Sequence, residues 1–322
     1  MGDIIVHDTL NVKKKSGLPV PLRKVKTAIT NPGAFFRYRS NAERSFYSAF
    51  SRFAHFKTRA ARCDLPANSN NHISINDEDG YAVFTPDQVP DALAAAVVQE
   101  ITEKLAHIDI EETLKSTHKP YLLNVITAKE FSRESAVYKL ATHPKIVEGV
   151  ARYLNCFPIL TSISVLYSPN AAGQETGSQK YHLDHEDQRQ IKGFMFIKDV
   201  GKKHGPFTLI SARDSEDVQK KSNYKMTRDN KRVDDEMVYN IVDKDRAVSM
   251  TGDAGTMALI DASRCFHYGS REGTEPRIML TFQYLTPFAY VMPWNWKRKR
   301  ALSHFHDKDM SSYERKLFGL DV

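Results

Sequence analysis

The sequence has few cysteines and no long apolar run, and these absences exclude several protein classes. Only Cys63, Cys156 and Cys265 occur among 322 residues, and their odd number and wide spacing favour reduced thiols over a disulfide framework. No stretch approaches the roughly eighteen consecutive apolar residues of a membrane helix. The first residues lack the basic and then apolar pattern of a secretory signal. We therefore expect a cytoplasmic protein without a membrane span.

The positive charge is concentrated at the start of the chain. Residues 1–62 hold thirteen Lys and Arg against three acidic residues, whereas the remainder holds thirty-three basic and thirty-six acidic residues, within a net charge of +7. Such a segment could bind phosphates, an acidic partner protein or an anionic surface. Because no recognisable nucleic-acid motif accompanies it, the pattern favours a solvated basic face packed on the domain over a nucleic-acid role.

The N-terminal part of the chain predicts one clear helix. Residues 1–33 are broken by proline and glycine, so an irregular segment is expected there. A helix is predicted over residues 41–57, because Ser40 and Glu43 form a capping-box pattern ahead of apolar residues at helical spacing. The aromatic stripe of this helix is interpreted as core packing, and it consists of Phe46, Phe50 and Phe53.

Helices precede strands in the rest of the pattern. Helices are predicted from Thr85 to about Ile108, over 128–140 and over 144–154, with a last one at 311–318. Strands are predicted at 80–84, 159–167, 191–198, 255–260 and 277–285. This order indicates an α+β fold, and a double-stranded β-helix, or jelly roll, is the member of that class that suits the motifs below.

The chain divides into a basic N-terminal segment, residues 1–79, and a main domain, residues 80–322. The first ends in a polar, turn-rich linker, 64–79. A highly charged insertion at 212–246 interrupts the strands, and it either covers a site or decorates the surface. The tryptophan-containing basic segment 294–300 is interpreted as a packing and surface feature.

Two distant motifs carry the chemistry. His182-Leu183-Asp184 stands just before a predicted strand, and His267 follows some eighty residues later with Arg277 ten residues beyond it. In an extended segment, residues two apart point the same way, so His182 and Asp184 can reach one point. Two imidazoles and one carboxylate can hold one face of an Fe(II) ion and leave its other positions open. A second copy of the motif, His185-Glu186-Asp187, overlaps the first, and the spacing pattern alone leaves both open.

Several segments in this order resemble the phytanoyl-CoA dioxygenase family of Fe(II)- and 2-oxoglutarate-dependent oxygenases. The resemblance covers about residues 159–287, with a looser match from Gly80, and the segments that carry it are His182-Leu183-Asp184, Lys192 to Val200, Gly205-Pro206-Phe207, Gly252-Asp253-Ala254-Gly255 and Cys265-Phe266-His267 to Arg277. In that family the His-x-Asp motif stands about seventeen residues before the Asp of an Asp-Val pair. Counting back from Asp199 reaches His182.

The resemblance implies a set of roles. His182, Asp184 and His267 would ligate Fe(II), and Arg277 would bind the distal carboxylate of 2-oxoglutarate with its planar guanidinium. Further co-substrate contacts are expected from Tyr167, Lys192 and Ser270, and substrate contacts from His185 and Asp187. The implied reaction consumes O2, decarboxylates 2-oxoglutarate to succinate and CO2, and hydroxylates a small molecule, which could be phosphate-bearing or carrier-tethered. The retained carboxylate of Asp184 argues against halogenation and leaves hydroxylation as the default, with desaturation and ring closure as the open alternatives.

Two other interpretations remain open at this stage. A similar barrel could hold zinc or manganese and act as an isomerase, in which case Arg277 would have no dicarboxylate to bind. Alternatively, a non-catalytic binding protein could retain the triad as a structural feature. The sequence does not identify the substrate.

Overall fold

The computed structural model describes residues 25–29, 31–63, 65, 73–115, 121–170, 177–226, 232–292 and 302–321. Its helices are α1 Pro32–Phe36, α2 Asn41–Ala54, α3 Phe56–Cys63, α4 Leu93–Leu105, α5 Ile110–Lys115, α6 Ala136–Ala141, α7 Pro144–Leu154, α8 Ala212–Lys221, α9 Asp235–Tyr239 and α10 Ser312–Leu317. Its strands are β1 Tyr81–Phe84, β2 Leu123–Thr127, β3 Ile159–Ser168, β4 Tyr181–His182, β5 Gln190–Phe196, β6 Thr208–Leu209, β7 Arg232–Val233, β8 Val248–Ser249, β9 Met257–Ile260, β10 His267–Tyr268 and β11 Arg277–Leu285.

Some predicted features lie outside the described residues. They are the part of the irregular segment before residue 25, most of the linker between 64 and 72, and the tryptophan-containing segment 294–300. Residues 25–29 and α1 are helical where an irregular segment was predicted. The reason is that Pro32 stands in the first turn of α1 behind the cap Asn31, a position that lacks an intrahelical N–H partner in any case.

Two antiparallel sheets form the core. The larger has six strands in the order β1-β9-β5-β11-β3-β2, and the smaller has five in the order β7-β4-β10-β6-β8. An apolar cluster joins them, since Phe194 and Ile260 of the larger sheet pack in one group with Leu209 of the smaller. This is the predicted α+β fold with a double-stranded β-helix core and helical N-terminal elaboration, and the prediction is confirmed.

The larger sheet turns one face to the helices and the other to the smaller sheet. Along β5, Ile191 and Met195 belong to the cluster that also contains residues of α4 and α7, whereas Phe194 and Phe196 belong to the cluster between the sheets. Gly193 is required on the helical side, because a Cβ at that position would lie 2.2 Å from the ring of Phe282. The alternation therefore leaves the even-numbered residues of β5 to line the space between the sheets.

The charged insertion 212–246 covers the outside of the smaller sheet. In its described part, α8, β7 and α9 place Val218, Val233 and Val238 in a buried cluster with Tyr181 and Phe266. Strand β7 pairs with β4, the strand that ends at His182. The insertion is thus integral to the core and supports one wall of the barrel.

Helix α2, which was predicted over residues 41–57, begins where its capping residues predict, but its aromatic stripe is not in the core. Ser40 and Glu43 form the capping box of α2. Phe46, Phe50 and Phe53 are exposed, and the opposite face of the helix is buried instead. The core-packing prediction for these three residues is wrong, because Tyr47 packs against Tyr290 of the domain, with ring centroids 5.6 Å apart, and this contact fixes the orientation of the helix.

Two predicted helices begin later than expected. Residues from Pro86 to Ala92 form two short 3-10 turns before α4, because Pro90 has no N–H to donate and Asp91 and Ala92 take positive φ angles. The helix expected from residue 128 is a single 3-10 turn, and a new cap at Ser135 starts α6. Strand β2, between these regions, was not predicted.

Two of the three cysteines are in contact. Sγ of Cys63, at the end of α3, lies 2.7 Å from Sγ of Cys156, after α7, and all three cysteines are free thiols. The hydrogen bond between the two thiols lowers the pKa of Cys63 to about 7 and raises that of Cys156. At this distance, the two sulfurs are close enough to be joined by thiol–disulfide exchange.

Oxidised glutathione is expected to join Cys63 and Cys156. The product would be one intramolecular disulfide and two molecules of reduced glutathione, seen as one cross-linked peptide pair by mass spectrometry without reductant. Cys265 is buried, and its thiol donates a hydrogen bond to the carbonyl of Asp79, so it serves as the internal control and should stay reduced. Persistence of two free thiols at 63 and 156 would contradict the contact.

No helix in the described part of the chain is long and apolar enough to cross a membrane.

Candidate metal centre and co-substrate pocket

Three predicted ligands converge between the sheets. His182 ends β4 and His267 begins β10, and the two residues are direct cross-strand partners. Asp184 follows β4 and is held by its backbone N–H, which donates to the carbonyl of Ala262 at 2.8 Å. All three side chains are buried, and one ligand atom from each lies within 4.8 Å of the other two.

The donor atoms fit around a single ion. Nε2 of His182 lies 4.0 Å from Oδ1 of Asp184, and Nε2 of His267 lies 3.9 Å from Oδ2 of Asp184. Metal–ligand bonds of roughly 2.1 Å allow two donors on one ion to be up to about 4.2 Å apart. Two imidazole nitrogens and a carboxylate oxygen form the donor set that suits non-haem Fe(II) and leaves further positions open.

The backbone orients both imidazoles for ligation. Nδ1 of His182 lies 2.8 Å from the carbonyl of Lys180, and Nδ1 of His267 lies 2.9 Å from the carbonyl of Cys265. A carbonyl only accepts, so each Nδ1 carries the hydrogen and each Nε2 keeps its lone pair. Burial lowers the pKa of both histidines, which keeps the imidazoles neutral and able to bind a cation.

Lys192 contacts a predicted ligand directly. It lies on the inner face of β5, and its Nζ is 2.5 Å from Oδ2 of Asp184. Burial opposes the charged ammonium, but Asp184 and Glu186 outweigh it and raise the pKa of Lys192. The structure therefore places Lys192 beside the triad as a charged neighbour of Asp184.

Arg277 is a buried cation that has no acidic partner among the described residues. Its guanidinium donates to the carbonyl of Gly205 and, over 3.1 Å, to Oγ of Ser270, while its buried Nε has no hydrogen-bond partner in the described part of the chain. No carboxylate of the described residues offsets the desolvation, and burial lowers its pKa to about 10. Burying a cation without a counterion costs free energy of folding, and a bound anion would offset that cost.

The loop before β11 shapes the pocket around Arg277. A Cβ at Gly269 would lie 3.3 Å from the guanidinium, so a side chain there would crowd it. Ser270 has a left-handed φ of 59°, and its hydroxyl donates to Oγ of Ser168 at 2.8 Å. Phe207 stacks on His267 with centroids 5.0 Å apart and so forms an apolar wall between the metal centre and this loop.

Tyr167 does not face this pocket, contrary to prediction. Its cross-strand partner is Ile278, and both belong to the helical side of the larger sheet. Ser168 pairs with Arg277 and Leu166 pairs with Met279, and Met279 lies in the cluster between the sheets. Because side chains alternate along a strand, Leu166 and Ser168 point inward where Tyr167 points outward.

Sequence reasoning missed Asn124 and Arg232. Asn124 on β2 pairs with Leu166, and its buried Oδ1 has no hydrogen-bond partner in the described ranges. Arg232 on β7 is the cross-strand partner of His182, so both side chains lie on one face of the smaller sheet. No local motif marks either residue, since β2 was not predicted and β7 lies in the charged insertion.

The second His-x-Asp motif makes different contacts. Nε2 of His185 lies 2.7 Å from the hydroxyl of Tyr38, which belongs to the N-terminal segment. The carboxylate of Asp187 accepts from the N–H of Gln188 at 2.7 Å and from both the N–H and Oγ1 of Thr286 at 2.8 and 2.7 Å. Burial raises the pKa of Asp187 to about 7 although these hydrogen bonds oppose the shift.

Comparison with solved structures finds proteins that were solved with 2-oxoglutarate, two of them together with a metal ion. The epimerase SnoN with Fe3+, alpha-ketoglutarate and nogalamycin RO is 18% identical over 66% of this chain and 81% of its own, with a TM-score of 0.46. EctD from S. alaskensis with 2-oxoglutarate and 5-hydroxyectoine is 16% identical over 68% and 79%, with a TM-score of 0.46. HygX from Streptomyces hygroscopicus with nickel, 2-oxoglutarate and hygromycin B is 15% identical over 66% and 85%, with a TM-score of 0.45.

No protein-family model and no curated protein matches the chain. Because the identities and TM-scores of the structural neighbours are low, a functional assignment rests on the residues of the site.

Proposed function

We propose that the protein is an Fe(II)- and 2-oxoglutarate-dependent oxygenase that hydroxylates a C–H bond of a small molecule, with release of succinate and CO2. One observation supports this most strongly. A buried triad with two oriented imidazole lone pairs shares the inter-sheet space with a buried arginine that has no acidic partner in the described ranges. Membership of the phytanoyl-CoA dioxygenase family is part of the same proposal.

His182, Asp184 and His267 would hold the iron. When bound together with 2-oxoglutarate and O2, that centre supplies the oxidising power for an unactivated C–H bond. The chain's own residues bind and orient the ligands and exclude water from the centre. Phe194 and Phe207 lie side by side, with ring centroids 5.1 Å apart, and keep one side of the centre apolar.

Arg277 would bind the distal carboxylate of 2-oxoglutarate. A planar guanidinium offers parallel N–H donors to a carboxylate, and a dry environment strengthens the pair. Ser270, whose hydroxyl accepts from the guanidinium and donates to Ser168, would hold the guanidinium in place. Asn124 is a further candidate contact, because its amide lies on the inward face of β2 and its NH2 group can donate to a carboxylate.

Lys192 would orient Asp184. An ammonium on Oδ2 would restrict the rotation of the carboxylate and keep it ionised. The prediction that Lys192 contacts 2-oxoglutarate is compatible with this position. The presence of Asp184, which would occupy the place that a halide takes in related halogenases, favours hydroxylation.

Lys192→Met is expected to weaken Fe(II) binding by about tenfold, the lower end of the range for residues that hydrogen-bond a metal ligand. Isothermal titration with Ni(II) or anaerobic Fe(II) gives the dissociation constant. Lys198→Met is the matched control, because Lys198 follows the same strand and is exposed. Equal affinities for the two variants would show that Lys192 does not support Asp184.

The substrate is proposed to be a small molecule with an anionic group, because the site carries several positive side chains. Arg232 shares a face with His182, and Lys192 and Arg277 add positive charge to the same inter-sheet space. A phosphate-bearing or carrier-tethered substrate remains the proposal. His185 and Asp187 remain candidates for substrate contact, although the hydrogen bonds of Asp187 to Thr286 favour a structural role.

Anaerobic titration of 2-oxoglutarate into the Fe(II)-loaded protein tests the assignment. A weak visible charge-transfer band is expected, followed by succinate when air is admitted. An isomerase with another metal, or a non-catalytic binding protein, would give neither signal. Absence of both the band and succinate would exclude the oxygenase.

A further inference from the structure

Large apolar side chains are exposed along the N-terminal helices. Six of the eight that the described residues expose lie between residues 25 and 56. Three of them define what we call the aromatic ridge, namely Phe46, Phe53 and Phe56, which are 67%, 79% and 63% exposed. Val25 and Ile29 are exposed at 55% and 77% on the preceding helical turn. Exposed apolar residues gathered in one region mark a contact surface more often than scattered ones do.

The orientation of α2 is fixed by contacts on its other face. The hydroxyl of Tyr290 donates to the carbonyl of Arg44 at 3.1 Å, and NH2 of Arg44 donates to the carbonyl of Asp187 at 3.3 Å. At about 100° per residue, Phe46 and Phe53 lie within roughly 20° of each other and far from Arg44 and Tyr47. Helix α2 cannot turn Phe46 and Phe53 inward without breaking these contacts.

The sequence that contains the ridge is basic. Residues 25–62 hold eight Lys and Arg against one acidic residue, Glu43; three of the arginines, Arg37, Arg44 and Arg62, are buried, whereas Lys26 is exposed beside Val25. Lys57 and Arg59 are exposed on α3, directly after Phe56. Helices that combine exposed aromatic residues with lysine and arginine bind at the interface of anionic bilayers, where both groups are satisfied.

We propose that this N-terminal face docks the protein on an anionic lipid bilayer. The aromatic ridge would enter the headgroup region, and Lys57 and Arg59 would contact lipid phosphates. A second copy of the chain fits less well, because it would bring an equally positive surface against the first. This inference goes beyond the proposed oxygenase reaction and is independent of it.

Co-sedimentation of the full chain with vesicles tests the docking. We compare phosphatidylcholine vesicles with vesicles that contain phosphatidylglycerol in addition. The wild type is expected to bind the second kind and to be released in part by high salt, because exposed charges are screened. The double variant Phe46→Ser/Phe53→Ser is expected to bind about tenfold more weakly, since two apolar side chains are lost from the interface.

Two further variants and one measurement complete the design. Met237→Ser removes an exposed apolar side chain outside the ridge and should bind like the wild type. Lys57→Gln/Arg59→Gln should weaken binding to anionic vesicles only. Light scattering on the same samples reports the oligomeric state. Three results would overturn the proposal. The wild type could fail to bind either kind of vesicle, or Phe46→Ser/Phe53→Ser could leave the binding unchanged. The third is a dimer of the wild type that this double variant dissociates.

Discussion

Arg277→Gln is expected to weaken 2-oxoglutarate binding by about 100-fold, in the lower part of the range for removing one partner of a buried ion pair. The glutamine retains a polar end but no charge, so the dicarboxylate would lose its counterion inside the protein. Anaerobic calorimetric titration of 2-oxoglutarate into the metal-loaded variant gives the dissociation constant. Fe(II) binding in the absence of 2-oxoglutarate should be unchanged, because Arg277 contacts Gly205 and Ser270 and not the triad.

Two comparisons make this result specific. Ser270→Ala removes one acceptor from the guanidinium and should weaken 2-oxoglutarate binding by a smaller factor, about fivefold, as expected for a single hydrogen bond. Arg271→Gln is the matched control for loss of a buried arginine, since Arg271 is already paired with Asp235 at 2.7 Å. If Arg277→Gln and Arg271→Gln had the same effect, Arg277 would not be the co-substrate anchor.

His267→Ala is expected to abolish Fe(II) binding at micromolar metal. The remaining His182 and Asp184 would form an incomplete face, and the ring that stacks on Phe207 would be lost. Inductively coupled plasma analysis of the purified, metal-loaded variant gives the iron content. The free energy of unfolding of the metal-free variant should be measured alongside, so that a folding defect is distinguished from a missing ligand.

His185→Ala is the matched control for His267→Ala. Its ring lies 2.7 Å from the hydroxyl of Tyr38, and the metal-ligand group consists of the other two histidines and Asp184. Iron content should therefore remain near one per chain. Loss of iron from His185→Ala with retention in His267→Ala would mean that the other copy of the His-x-Asp motif holds the metal.

The sequence predicted much of the architecture because its signals are local or strictly periodic. The alternation along 191–198 predicts a strand, which the structure contains as β5, and the strand predicted at 277–285 is β11. The capping pattern at Ser40 and Glu43 predicts the start of α2, and the structure confirms it. The residues of the metal triad could also be proposed from the sequence. The family resemblance, through the distance to Asp199, favoured His182-Leu183-Asp184 over the overlapping motif His185-Glu186-Asp187.

Other properties depend on contacts between distant segments. Helical spacing alone predicts an aromatic stripe for α2 but not which side of the helix is buried, and the contact of Tyr47 with Tyr290 decided that. Likewise, the position of Tyr167 one residue before Ser168 predicts nothing about which of them faces the pocket, and the pairing of β3 with β11 decided it.

By itself, the sequence determined the order of elements, the identity of the candidate ligands and the concentration of positive charge in residues 1–62. Only the tertiary structure decided that Arg277 lacks an acidic partner in the described ranges, that Lys192 contacts Asp184, and that the phenylalanines of α2 are exposed. The physical reason is that burial and charge compensation are properties of pairs of segments, and those pairs exist only once the chain is folded.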